Sequence, residues 1–320
     1  MIPPSVNKKG WPWTDKYPTF PDTMPDGSEW PKISIVTPSY NQGRFLEATI
    51  RSVILQNYPN LEYFIVDGGS NDDSLTIIKK YEPWITNWIS EKDEGQSDAI
   101  NKGFRHSTGG ILGWINSDDL YCKGAFKHVA STLKNDIPQW LVGATEVIDS
   151  EDMILREHNP FPVTSMTFSS WTHRYVHQQG IFWNRKMFEK MGGEVNKDLH
   201  YIMDFDLWYR MNEVSDPILT KYLLARYRHH GEAKTIAEWD KSAEEMVEWY
   251  VKKYKSGVSG ENLLREFIKQ SVESQRYLER ISDHFLFGRL IRFWGKWINP
   301  RFRVLDKCRI SITYNYYKTK

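Results

Sequence analysis

Between residues 32 and 119, four strand-like runs alternate with three helical ones, and that alternation restricts the fold more than any other feature. "KISIVTPSY" (32–40) is a short β-branched run closing on a Pro turn. "GRFLEATIRSVILQ" (43–56) then repeats Phe45, Leu46, Ile50, Val53 and Ile54 at helical spacing. "LEYFIVDGGS" (61–70) is a second strand ending at Asp67 and a Gly-Gly turn, and "DDSLTIIKKYE" (72–82) is a helix that starts with capping acids. "ITNWISEKDEG" (85–95) supplies a third strand and a polar loop, "SDAINKGFRHS" (97–107) a third helix, and "GGILGWINSDD" (109–119) a fourth strand. Short crossovers of this kind imply an α/β, Rossmann-like fold, with a parallel or mostly parallel central sheet flanked by helices.

In such sheets ligands bind beyond the carboxyl ends of the strands. Those ends carry residues 38–41, then Asp67, Asp93, and Asp118 with Asp119. Asp118 and Asp119 alone would read as helix caps. Acids at three successive strand ends converge on one rim, however, and like charges gathered there need a cation or polar ligand to offset them. A dinucleotide fingerprint would need G-x-G-x-x-G in the first strand–helix turn, but "TPSYNQGRF" holds one glycine, and no Walker A loop occurs. A nucleotide can still bind through its base and ribose, with a metal neutralising its diphosphate. Asp67 and Asp93 can accept hydrogen bonds from a uracil N–H or ribose hydroxyls, and Tyr40 offers a stacking face. Asp118 can ligate Mg2+ or Mn2+, which prefer oxygen donors.

Charge narrows the partners. Lys and Arg number 42 against 41 Asp and Glu, a net +1 that argues against a dedicated nucleic-acid binder. The 14 Trp and 17 Tyr suit carbohydrate or membrane-interface contacts and equally a packed core. Two cysteines far apart suggest neither a disulfide framework nor a thiolate metal site. The N-terminal residues lack the apolar core of a signal peptide, and no apolar run approaches the roughly 20 residues that span a bilayer. A cytoplasmic protein is expected. Residues 1–31, rich in Pro, Trp and Asp, read as an extended arm over the following domain.

Beyond residue 140 the pattern is less regular. "WLVGATEVI" (140–148) is a strand, "HQQGIFWNRKMFEKMGG" (177–193) a strand leading into a helix, and "DFDLWYRMNEV" (204–214) a helix. "ILTKYLLARYRHHGEAKT" (218–235) is a strand with a polar loop, and the chain then reads as charged and helical to its end. Gln178 and Gln179 fit either an acceptor pocket or buried side chains paired to backbone.

Taken together, residues 34–72, "SEKDEGQSDAINKGF" (90–104) and "WINSDD" (114–119) resemble, in order and spacing, the signature of family-two glycosyltransferases with a GT-A fold. The resemblance covers roughly residues 32–236 and leaves 237–320 as a helical C-terminal region. It implies an inverting transferase that moves a sugar from a nucleotide sugar to a hydroxyl of a glycan or lipid-linked acceptor, in building a cell-surface polysaccharide or glycolipid. Pro38, Tyr40 and Asn41 match the first nucleotide-contacting loop, Asp67 the acid that reads uracil, and Asp93 a second base-side acid. Asp98, Asn101 and Lys102 match positions near ribose, diphosphate and donor sugar. Residues 116–119 fall at the D-x-D motif, with Ser117 in the donor site, Asp118 at the metal-binding acid and Asn116 in place of the first one. Asp204 takes the catalytic base position with Asp206 as rival, and Met203 stands where Glu is common. His230 matches a metal or diphosphate contact, with His229 as rival. The implied cofactor is Mn2+ or Mg2+. UDP is the default nucleotide, with GDP and dTDP as alternatives.

A non-catalytic nucleotide-sugar-binding or scaffold protein on the same fold is the competing expectation. In "FLFGRLIRFWGKWI" (285–298) Arg289, Arg292 and Lys296 share one helical face opposite Leu, Phe, Ile and Trp residues. That helix suits an anionic membrane surface, which would place the protein peripherally at the inner face of the membrane, or packing on the catalytic domain or a second copy.

Overall fold

In the computed structural model, which describes residues 2–3, 8–15, 18–160, 176–231 and 239–254, all seven residues of β1 (Ile33–Ser39) are buried. A strand paired on both edges and covered on both faces requires this. β1 pairs in parallel with β2 (Leu61–Asp67) on one side and β4 (Ile111–Trp114) on the other, and β2 pairs in parallel with β3 (Asn87–Ser90). Register sets Ser39 beside Asp67 and Asp67 beside Ser90, so these three carboxyl ends finish level. The crossovers are α1 (Gly43–Ile54), α2 (Ser74–Tyr81) and α3 (Gln96–His106), in the order the alternation predicts.

The two faces are packed differently. Ile33 and Ile35 of β1 join Leu46, Ile50 and Val53 of α1 in one large apolar cluster. Val36 points the other way, against α3, where Gly103 permits close approach: a Cβ on Gly103 would sit 2.5 Å from Val36 Cγ1.

The second half of the chain mixes directions. It contains β5 (Leu120–Tyr121), α4 (Ala125–Thr132), β6 (Trp140–Ile148), β7 (Ile154–His158), β8 (Ile181–Asn184), α5 (Arg185–Lys190), α6 (Met203–Val214) and β9 (Ile218–Arg228). The nine-stranded sheet runs β3-β2-β1-β4-β8-β6-β9-β5, with β7 paired to β6. β8 is antiparallel to β4 and β6, β5 is antiparallel to β9, and β6 and β9 are parallel. Because β8 runs against β4, the start of β8 lies at the carboxyl end of β4, on the rim. Contacts divide the chain into one unit of Met1–Phe168 with Thr172–Ala233 and a second of Ser169–Trp171 with Lys234–Lys320. In the second unit α7 (Trp239–Tyr254) is described; the basic helix expected at 285–298 lies outside the described residues. Among the described residues no helix is long and apolar enough to cross a membrane.

Arg51 of α1, buried, clasps the N-terminal arm. Its guanidinium donates to the carbonyls of Pro3, Pro12 and Trp13 at 2.7, 3.1 and 3.3 Å. Trp11 Nε1 donates to Tyr121 O at 2.7 Å. Farther along, Phe20, Trp30 and Tyr58 meet edge to face at 5.0–5.9 Å.

At the opposite end of the sheet from the rim, Glu62 accepts from Ser34 Oγ at 2.7 Å, from the Thr108 amide at 2.8 Å and from Lys32 Nζ at 3.2 Å. Burial opposes its charge, but the hydrogen bonds from Thr108, Ser34 and Lys32 prevail and hold its pKa at about 2. A carboxyl whose pKa is lowered by folding stabilises the fold above its unfolded pKa and loses that effect as pH falls through the folded one. Glu62→Gln is therefore expected to cost about 1–2 kcal/mol at pH 7. The gap to wild type should close between about pH 4.5 and pH 2, as urea unfolding across that range would record.

Candidate active site

The first rim loop is stitched to the second. The Asn41 amide donates to Ser70 Oγ at 2.8 Å, the Asn71 amide to Asn41 Oδ1 at 3.0 Å, and the Gly43 amide to Asp72 Oδ2 at 2.8 Å. Asn41 holds φ at 51°, a left-handed conformation that Asn tolerates better than most residues. Pro38 is buried in β1 just below, and Tyr40 is left 62% exposed, its ring on the rim surface.

Asp67 is fully buried, and its carboxylate accepts from the Gly69 and Ser70 amides and from the hydroxyls of Ser70 and Ser90. The acid at this strand end thus fastens the Gly-Gly turn to β3. Asp93 lies against that turn: a Cβ on Gly68 would come within 2.8 Å of Asp93 Oδ2, so the glycine makes room for the carboxylate. Burial first, and then the charges of Asp98 and Asp67, raise the Asp93 pKa against the pull of the Gly95 amide and Lys102.

On α3, Lys102 Nζ bridges Glu91 at 2.8 Å and Asp98 at 3.1 Å, and these partners raise its pKa. Burial opposes the charge of Asp98, but Lys102 and the Glu94 amide outweigh it and lower the pKa. Asn101 faces elsewhere. Its amide exchanges two 2.8 Å hydrogen bonds with the backbone of Val195, and Ser97 Oγ donates to Leu199 O at 3.1 Å. Asn101 and Ser97 therefore pin the segment that leads into α6.

Residues 116–119 form a tight turn after β4, closed by the Asp119 amide on Asn116 O at 3.1 Å. Asn116 Oδ1 accepts from Gln96 Nε2 at 2.8 Å. Thr49 Oγ1 of α1 donates to Ser117 O at 2.9 Å and Asp119 O at 2.8 Å. Asp118 and Asp119 then diverge. Asp119 is buried, accepting from the Arg228 amide at 2.8 Å and from Gln179 Nε2, and burial together with the charge of Asp118 raises its pKa well above the usual range. Asp118 keeps an exposed edge, and its Oδ2 stands 2.9 Å from His230 Nε2, across 112 residues of sequence. The neighbouring His229 is exposed, its amide on Ile148 O. Gln178 Nε2 donates to Trp114 O at 2.7 Å, so both glutamines tie the head of β8 to the rim loop.

The carboxylate oxygen suits Mn2+ or Mg2+, and the imidazole nitrogen beside it favours Mn2+ of the two. Among the described residues no group of three or more His, Cys, Asp or Glu could hold a metal. Two protein donors fit a cation that draws its remaining ligands from substrate phosphates and water.

Across the rim, Asp204 and Asp206 occupy the first turn of α6. Asp206 is buried and paired with Arg210 at 2.9 Å, and Arg210 also donates to Met191 O and Glu194 O. Asp204 is half-buried, with the Phe205 amide on its Oδ1 at 2.7 Å. One turn on, Trp208 stacks on Trp114 with ring centroids 5.4 Å apart and planes 14° apart. Sequence reading missed Arg228 and Thr49, and it marked Gln179 and Phe45 without their roles at Asp119 and His230. Each works through backbone or a neighbouring side chain, so no motif spacing marks that role.

A doubly covered sheet with a parallel 3-2-1-4 half and an acidic rim at its carboxyl ends is the GT-A fold. The fold agrees with Staphylococcus aureus TarS residues 1–349 in complex with UDP-GlcNAc (TM-score 0.54, 15% identity, 85% of this chain and 77% of that one). It agrees equally with the mannosyltransferase PcManGT from Pyrobaculum calidifontis in complex with GDP-Man and Mn2+ (TM-score 0.53, 16% identity, 90% and 86%). The profile of Glycosyl transferase family 2 matches residues 34–213, and the chain belongs to that family. An uncharacterized glycosyltransferase of Rickettsia prowazekii is 25% identical over 273 residues, 83% of this chain and 80% of its own. One from Mycobacterium tuberculosis is 27% identical over 206 residues, 63% and 76%. The chain spans only 35% of a Rickettsia felis relative that is 26% identical over 211 residues.

Proposed function

We propose that the chain is a metal-dependent, inverting glycosyltransferase that moves a sugar from a nucleotide sugar, UDP-linked by preference, to a hydroxyl of a glycan or lipid-linked acceptor. The observation that carries this reading is the 2.9 Å approach of Asp118 and His230, which brings together a carboxylate and an imidazole that sequence separates widely. The relatives solved with UDP-GlcNAc, and with GDP-Man and Mn2+, support it by analogy of fold.

In this reading Tyr40 stacks on the base and Asp93 accepts its N–H, while Asp67 and Asn41 hold the two loops that frame it. Asp98, Lys102 and Ser117 border the ribose, diphosphate and donor sugar, with Lys102 held in place by Glu91 and Asp98; Asn101, committed to the Val195 backbone, supports the site rather than lining it. Asp118 and His230 would hold Mn2+ or Mg2+, which when bound offsets the charge that develops on the departing diphosphate. Asp204 accepts the proton of the acceptor hydroxyl as it attacks the anomeric carbon from the opposite face, so the configuration inverts. Asp206, committed to Arg210, is the weaker candidate for that role.

The test is a panel of UDP-, GDP- and dTDP-sugars, each with and without Mn2+, read by thermal shift and by slow donor hydrolysis. Stabilisation and hydrolysis by one nucleotide class, both dependent on Mn2+, are expected. Silence across the whole panel would sink the proposal.

A further inference from the structure

We infer that Arg228 is a positioning residue that sets the cation affinity of the Asp118–His230 pair, an inference that rests on the metal reading above. Arg228 ends β9, two residues before His230, and its side chain is 2% exposed. Its Nε donates to Asp118 O at 2.8 Å, its Nη1 to Asp149 O at 2.9 Å, and the same Nη1 stands 2.6 Å from Asp152 Oδ1. Its own amide donates to Asp119 Oδ1 at 2.8 Å. The guanidinium lies 4.8 Å from the Phe45 ring, and that ring meets the His230 imidazole at 4.9 Å. The side chain therefore fixes the backbone of one proposed ligand and the ring behind the other, while the backbone amide of the same residue holds the neighbour of the first.

Burying a guanidinium here is costly, and stability alone would be served as well by an apolar side chain of similar volume. What a hydrophobe cannot do is bind a carbonyl on each of two loops and a carboxylate at once, which the planar fork of Arg does. Arg228 is too buried to reach a substrate, so its effect must pass through the residues it holds. A site with only two protein ligands depends on their being held in place before the cation arrives, and groups that orient ligands commonly change metal affinity by 10–100-fold.

Charge makes the opposite prediction, which sharpens the test. As a bare cation beside a metal site Arg228 would weaken binding, so a purely electrostatic role predicts tighter binding once it is removed. Asp152 lies against Arg228 as its ion-pair partner, so its loss should also weaken the site.

The experiment is Mn2+ titration of the full chain with UDP present, against a UDP-only control, with free Mn2+ followed by EPR, for wild type, Arg228→Met, Arg228→Lys, Asp152→Asn and Asp118→Ala, near-UV CD confirming that each is folded. Arg228→Met and Arg228→Lys should raise the Mn2+ Kd about tenfold, and Asp152→Asn about threefold. Asp152 is 36% exposed, so its Asn variant reports even if the Arg228 variants do not fold. Wild-type or tighter Mn2+ affinity in Arg228→Lys and Asp152→Asn would overturn the positioning role. If Asp118→Ala binds Mn2+ as wild type does, or wild type binds none, the metal reading fails and this inference with it. If Asp118→Ala alone loses the ion, only the role of Arg228 fails.

Discussion

Asp204→Asn should lower the turnover of sugar transfer by about 10³-fold while leaving donor affinity within a few-fold of wild type. The amide keeps the shape of the carboxylate and can still hydrogen-bond, but it cannot take the proton from the attacking hydroxyl. Its place in the fold makes the test clean. Asp204 sits at the start of α6, whose approach is fixed independently by Asn101 on Val195 and by the Trp208–Trp114 stack. Asp206→Asn should behave differently. It breaks the Arg210 pair that also holds Met191 O and Glu194 O, so it should cost stability before it costs chemistry. Initial rates of transfer with labelled donor, beside calorimetric donor binding, separate the two. Turnover in Asp204→Asn within about threefold of wild type would assign the base elsewhere.

The second large effect concerns the cation. Asp118→Ala and His230→Ala should each reduce transfer by about 10²-fold or more, with the donor Kd rising in parallel, because each removes one of only two proposed protein ligands. The double variant should be little worse than the poorer single one, since two residues that hold one ion act as a unit. A chelator should reduce wild type to the level of these variants and leave the variants nearly unchanged. Losses that simply multiply in the double variant, or a chelator that acts equally on all four proteins, would break the assignment.

The parallel half of the sheet was legible because period and composition change together there: β-branched runs end on acids or Pro, and amphipathic helices follow. β5 escaped because two residues carry no period, and β7 because it lies at an edge where Ile154 and Leu155 stay exposed and no alternation forms. At the rim, sequence marked the acids but not how each is used. Asp67 and Asp119 are as acidic in sequence as Asp93 and Asp118, yet burial and local hydrogen bonds commit the first two to holding loops. Asn101 likewise serves the Val195 backbone. Such commitments depend on which backbone amides a fold brings nearby, and spacing along a chain does not encode that. Spacing does not encode the juxtaposition of Asp118 with His230 either; the family resemblance implied it, and β9 returning beside β5 produces it.

The arm clasped by Arg51 also orders events during synthesis. Trp11 leaves the ribosome first, yet its partner, the Tyr121 carbonyl, is made 110 residues later. At ordinary rates of translation that is a delay of roughly 5–20 s. Through that interval the apolar, Trp-bearing arm is a nascent segment without its seat, and chaperones that recognise such segments have time to engage it. The arm thus waits for residues made long after it before it reaches its final place.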